Sequence, residues 1–171
     1  MFARDLSHGE MGYDKYVQTF DDAVSHALVA IRQHHRHSQQ QQQQRSRQHM
    51  FSLGLGVLTA LYFVAIKCRH RTVRESALCA LSLAPLQEGL WSQDSTSKMT
   101  RVLVEMEETH RAPGTVGPEG IPAKARIIGV NFLLRAENGE LVLVVDRPGG
   151  REEREVNYGS SSGSEVKEET C

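Results

Sequence analysis

The sequence predicts a mainly α-helical chain. It reads as a bundle-like fragment closed by a C-terminal β-hairpin, with a disordered Gln/His linker and an acidic tail. Three observations carry this reading. Apolar residues recur at spacings of three and four through much of the first 108 residues, the signature of helices with one buried face. The period then shortens to strand-like runs on either side of Asn138-Gly139. Two polar stretches, 34–49 and 148–171, are too poor in apolar residues to offset the entropy of ordering them.

The elements follow in order. Residues 1–33 form an N-terminal amphipathic region, in which Tyr13, Tyr16, Val17, Phe20, Val24, Ala27, Leu28 and Ile31 share one helical face. Asp14 suits its N-cap or first turn, where the helix dipole favours an acid. His34, His35 and His37 and six glutamines, Gln39 to Gln44, then mark the linker, 34–49. A helical core, 50–112, follows. It opens with the apolar run Phe51 to Ile66 and continues with Val73, Ala77, Leu81 and Ala84, stopped by Pro85. Its last helix sets Met99, Val102, Leu103 and Met106 on one side, with Glu105, Glu107 and Glu108 largely on the other. Residues 113–147 begin as a Pro/Gly loop and end as the hairpin: Ile127 to Leu134, Asn138-Gly139, then Leu141 to Val145. Asn-Gly tolerates the positive φ angles of a type I′ turn.

The chain has 171 residues; setting aside 16 linker and 24 tail residues leaves 131 to fold. Its net charge of −1 hides an asymmetry. Between Ile31 and Arg74 there are eight Lys or Arg residues and no acid, while Glu152, Glu153, Glu155, Glu165, Glu168 and Glu169 crowd the tail. Three cysteines exclude both a disulfide framework and a zinc cluster needing six thiolates.

The candidate sites mostly dissolve on inspection. Phe51 to Ile66 spans only ~24 Å as a helix against a ~30 Å hydrocarbon core, so a buried core helix is the preferred reading and a single-pass anchor at 51–66 the alternative. Gly54-Leu55-Gly56-Val57-Leu58-Thr59, with Glu75 downstream, approaches a dinucleotide-binding loop, but no strand precedes it. An enzyme built on that loop would need a nicotinamide or flavin. Gly159-Ser160-Ser161-Ser162-Gly163 matches G-x-S-x-G in a tail without the strand and helix of a nucleophile elbow. His34, His35, His37 and His49 lack the partners of a built metal site. Cys68 and Cys79 read as buried free thiols. Lys67, Arg69, His70, Arg71 and Arg74 could present phosphate-binding charge; a solvated helix start, its cations partly paired to distant acids, is the preferred reading. The expected core is Val57, Tyr62, Phe63, Val73, Leu81, Leu90 and Trp91. No catalytic, cofactor-binding or metal residue is nominated.

Two blocks carry a family resemblance. Leu61-Tyr62-Phe63-Val64-Ala65-Ile66-Lys67-Cys68-Arg69-His70-Arg71-Thr72-Val73-Arg74 and Ala84-Pro85-Leu86-Gln87-Glu88-Gly89-Leu90-Trp91 resemble the C-terminal regulatory region of fungal zinc binuclear cluster (Zn₂Cys₆) transcription factors. The helix ending Val104-Glu105-Met106-Glu107-Glu108 and the segment Ile121-Pro122-Ala123-Lys124-Ala125-Arg126 are similar to that family's following parts. Coverage is roughly 10–147, interrupted by the Gln tract. Thr59-Ala60 replace a Pro-containing pair common in the family, and Ser76 and Cys79 sit in a helix usually richer in Ala, Leu and Arg. The thiolates of a zinc cluster are missing, so the resemblance implies a regulator's tail without its DNA-reading head. It implies a non-enzymatic interaction module of marginal stability, nuclear by family resemblance or cytoplasmic as an isolated fragment, with protein partners or self-association. It implies neither zinc-cluster DNA binding nor a membrane contact.

Overall fold

The computed structural model describes residues 9–42, 56–84, 87–88, 91–135 and 140–156. A 3₁₀ segment, Gly9–Tyr16, leads into α1, Val17–Gln42. The core helices are α2, Val57–Lys67, α3, Arg71–Leu83, and α4, Gln93–Glu108. Two short strands, β1 (Gln87–Glu88) and β2 (Trp91–Ser92), pair between α3 and α4. Single 3₁₀ turns at Pro118–Gly120 and Ala123–Ala125 carry the chain to β3, Gly129–Arg135, β4, Glu140–Arg147, and β5, Gly150–Val156. The last three form an antiparallel sheet in the order β3-β4-β5. The fold is mainly α, as the periodicity predicts.

The apolar α2 is the hub, packing against α1, α3 and α4. Phe20, Val24, Ala27 and Ile31 of α1 meet Leu58, Leu61, Val64 and Ala65 of α2 and Val73, Ala77, Ala80 and Leu81 of α3. Alanines at 77 and 80, fully buried, let α3 approach closely. A second cluster joins Met99, Leu103 and Met106 of α4 to Ile127, Leu143 and Val145, with Tyr62 and Ile66 of α2 packed against it. Fully burying each large aliphatic or aromatic side chain is worth about 1.5–3 kcal/mol. These two clusters therefore hold the helices and the sheet as one body. Gly56 opens α2 at φ 59°, a left-handed conformation that favours glycine.

Several expectations need correction. The helix of the N-terminal region does not stop at 33: α1 runs to Gln42, into the stretch read as disordered. Once nucleated, a helix gains one hydrogen bond per residue fixed, and Gln and Arg are good helix formers. Residues 43–49 lie outside the described residues. Asp14 does not cap α1; it lies in the 3₁₀ segment and turns to Arg126. The tail is not wholly irregular, because β5 pairs with β4 along seven positions. A two-residue connection at Pro148-Gly149, with Gly150 at φ 140°, turns the chain back tightly enough to reuse β4's second edge. Residues 157–171, the G-x-S-x-G match among them, lie outside the described residues.

The hairpin forms, but in another register. A two-residue type I′ loop at Asn138-Gly139 would set Glu137 opposite Glu140. The observed register sets Arg135 opposite Glu140, two residues out of step with that turn; residues 136–139 lie outside the described residues. As the central strand, β4 buries Val142, Leu143, Val144 and Val145 in succession, so it shows no alternation. In the expected core, Val57, Val73 and Leu81 are buried, and Tyr62 and Phe63 are partly buried against the two clusters. Trp91 instead stays 37% exposed, its ring tilted against Tyr62 at 5.6 Å; Leu90 lies outside the described residues.

Candidate functional site

The densest chemistry is a buried network of five cations and four carboxylates where the N-terminal segment, α2, α3, α4 and the 111–127 connection meet. Its centre is Glu107, in the last turn of α4 and almost wholly buried. Glu107 Oε1 accepts from Arg69 Nη2 at 2.8 Å and from the Ile127 backbone N–H at 2.7 Å. Its Oε2 accepts from Arg69 Nε at 3.1 Å and Arg74 Nη2 at 2.6 Å. Burial would raise the Glu107 carboxyl, but Arg69, Arg74 and the Ile127 N–H outweigh it and hold it down at about 2.

The neighbours extend the network outward. Glu108 accepts from Arg74 Nη1 at 2.9 Å and, bidentately, from Arg111 at 2.6 and 2.9 Å. Its carboxyl is lowered: burial works against the shift, and the Arg111 and Arg74 contacts overcome it. Arg111 Nη2 also donates to the Arg69 carbonyl at 2.6 Å, and Arg74 Nε to the Cys68 carbonyl at 2.9 Å. On the N-terminal side, Glu10 pairs with Lys67 at 2.8 Å and Arg69 at 3.1 Å. Burial lowers the Lys67 ammonium, against the pull of Glu10. Asp14 takes Arg126 bidentately at 2.5 and 2.8 Å, and Arg126 also donates to the Ile121 and Pro118 carbonyls.

The basic cluster thus divides. Arg69 and Arg74 are almost fully buried, which corrects the solvated-helix-start reading; their pairing to distant acids is as that reading held. Only Arg71 keeps an exposed head, 3.5 Å from Glu108. Glu107 is not on the outer side of α4. It falls one turn beyond Leu103 on the buried stripe, and that offset, beside a basic stretch short of acids, was the available signal. Arg126 and Glu10 carried no such signal, because their partners lie far along the chain, whereas Arg111 stands three residues from Glu108. Cys68 is buried and free, and burial raises its thiol; Cys79 is half-buried and is not a free thiol, which corrects that expectation.

Other candidates gain little. Among the described residues no group of three or more His, Cys, Asp or Glu could hold a metal ion. His34 and His35 lie on α1, while the His37 side chain, His49 and Gly54 fall outside what is described. Among the described residues no helix is long and apolar enough to cross a membrane; α2 has 11 residues. A cavity of about 200 Å³ lies between α2, α4 and the start of β3, lined by Tyr62, Ile66, Leu103 and Val130 together with Lys67 and Glu107. It is smaller than the ~300 Å³ at which small-molecule sites begin, and both charged walls are already paired. Chemically, the network spends its carboxylates on fixed guanidinium partners, so what it does is hold distant segments in one arrangement.

The fold and network thus define a small, mainly helical domain clamped by buried ion pairs. The chain is 34% identical over 58 residues to the aspercryptin biosynthesis cluster-specific transcription regulator atnN of Emericella nidulans. The match covers 34% of this chain and 10% of that regulator, so the chain spans only a small part of its relative. This supports a distant relationship to a transcription regulator. No family model and no solved structure matches the chain.

Proposed function

We propose that this chain is a non-enzymatic regulatory module of the type found toward the C-terminus of fungal transcription regulators, acting in the nucleus through protein contacts. The observation that carries the reading is the 58-residue likeness to a cluster-specific transcription regulator. The network fits it, since buried carboxylates committed to arginines build a rigid scaffold, and scaffolds suit recognition. In this reading α2, α3 and α4 form the regulatory core within 50–112, with the sheet docked on α4 as an accessory surface. Lys67, Arg69 and Arg74 are engaged internally and Arg71 alone faces outward, so the module would not read DNA with this stretch.

The test is a reporter assay in a fungal host. The full chain, joined to a heterologous DNA-binding domain, should change transcription several-fold relative to that domain alone, and a fluorescent fusion should collect in the nucleus. An unchanged reporter at equal protein level would overturn the regulatory reading.

A further inference from the structure

The two edges of the C-terminal sheet are built differently. In the order β3-β4-β5, β3 and β5 each have one neighbour among the described residues. The β5 edge carries Arg151, Glu152, Glu153, Arg154 and Glu155 in succession, all exposed. Charge of this kind is a usual protection of an open strand edge against pairing with another chain. The β3 edge has no such protection. From Ile127 to Leu134 there is no charged residue and no proline, and Ile128, Phe132 and Leu133 are 46%, 48% and 52% exposed. An apolar strand with one open row of backbone donors and acceptors is shaped to receive another strand.

We propose that β3 pairs antiparallel with β3 of a second copy of this chain, joining two three-stranded sheets into one of six strands. The strand is self-complementary. It has seven residues, Gly129–Arg135, and only a twofold axis through Phe132 pairs all seven with their counterparts. That register sets Phe132 opposite Phe132, Asn131 opposite Leu133, Val130 opposite Leu134 and Gly129 opposite Arg135. No like charges meet, and a central aromatic pair is gained. Pairing β3 of one copy with β5 of the next would lay an apolar strand against the charged row of 151–155. It would also propagate without closing, whereas the twofold contact closes at two copies. Seven residues a side is far fewer than the ~20–30 of a standard interface, so the dimer is a weak, reversible one.

This deepens the interaction-module reading by naming a partner, and it rests on that reading. The experiment is sedimentation of the full chain across the micromolar range, for wild type, Phe132→Lys, Phe132→Glu and their equimolar mixture. Wild type should rise to twice the monomer mass. Each single variant, with like charges at the twofold axis, should stay at monomer mass, and the mixture should recover the dimer. Concentration-dependent hydrogen-exchange protection of 129–135 in the unsubstituted chain provides a second readout, independent of how the variants fold. A monomeric wild type, variants that dimerise alone, a mixture that stays monomeric, or protection confined to β5 would each overturn the proposal. A monomeric chain that still changes the reporter would overturn the dimer while leaving the regulatory reading intact.

Discussion

Glu107→Gln removes one charge from the centre of the network and almost no volume. Each carboxylate oxygen of Glu107 accepts two hydrogen bonds, from Arg69 and the Ile127 N–H on one side and from Arg69 and Arg74 on the other. An amide group has only one acceptor oxygen, so whichever way the Gln side chain turns, its NH₂ faces two donors. Arg69 keeps Glu10 and Arg74 keeps Glu108, yet two buried guanidinium groups lose the carboxylate they share. Breaking a buried ion pair by removing one partner costs about 3–5 kcal/mol. Small domains are stable by only ~5–15 kcal/mol, so the variant keeps a fraction of the original stability. At a urea dependence near 2 kcal/mol/M, the unfolding midpoint should fall by roughly 2 M. Urea titration followed by circular dichroism and by the fluorescence of Trp91, the sole tryptophan, measures this. A loss below about 1 kcal/mol, the value expected of a surface pair, would refute the central role given to Glu107.

Asp94→Asn, which breaks the exposed 2.9 Å pair with Lys98, should change the unfolding free energy in the same titration by no more than about 0.5 kcal/mol. Acid should unfold the chain as Glu107 protonates. Its folded pKa of about 2 lies below the ordinary 4.5, so its stabilisation is complete above pH ~4.5 and drains away as pH falls toward 2. That shift corresponds to roughly 3 kcal/mol, and a melting temperature flat from pH 6 down to 2 would contradict it. Gly56→Ala places a Cβ where nothing lies within 4 Å, so its cost is the left-handed backbone alone, about 1–2 kcal/mol. A melting temperature equal to wild type would show that this turn is not required.

The helical framework was legible because helices report themselves locally. Val73, Ala77 and Leu81 define the buried face of α3, and Met99, Leu103 and Met106 that of α4, at spacings any window of a dozen residues contains. The strand runs on either side of 136–139 were legible for the same reason. The misreadings share a different cause. Glu107 looks like a solvated residue until Arg69 and Arg74 are brought against it, and Asp14 looks like a cap until Arg126 is. β5 lacks strand character of its own and exists because β4 offers it a ladder. Trp91 belongs to the expected core, yet its place in β2 of the short β1–β2 pair leaves it only partly covered, against Tyr62.

Local patterning alone establishes a mainly helical chain, with an apolar run at 51–66, a strand-forming C-terminal part and a basic stretch that no local acid balances. Where that charge goes depends on which segments the fold brings together. Arg69 and Glu107 are 38 residues apart, and Arg126 and Asp14 are 112 apart. Side-chain periodicity is fixed within a few residues by backbone geometry, whereas an ion pair is fixed by which surfaces the fold presses together. The basic stretch that could have faced a phosphate backbone thus became the clamp of the domain interior.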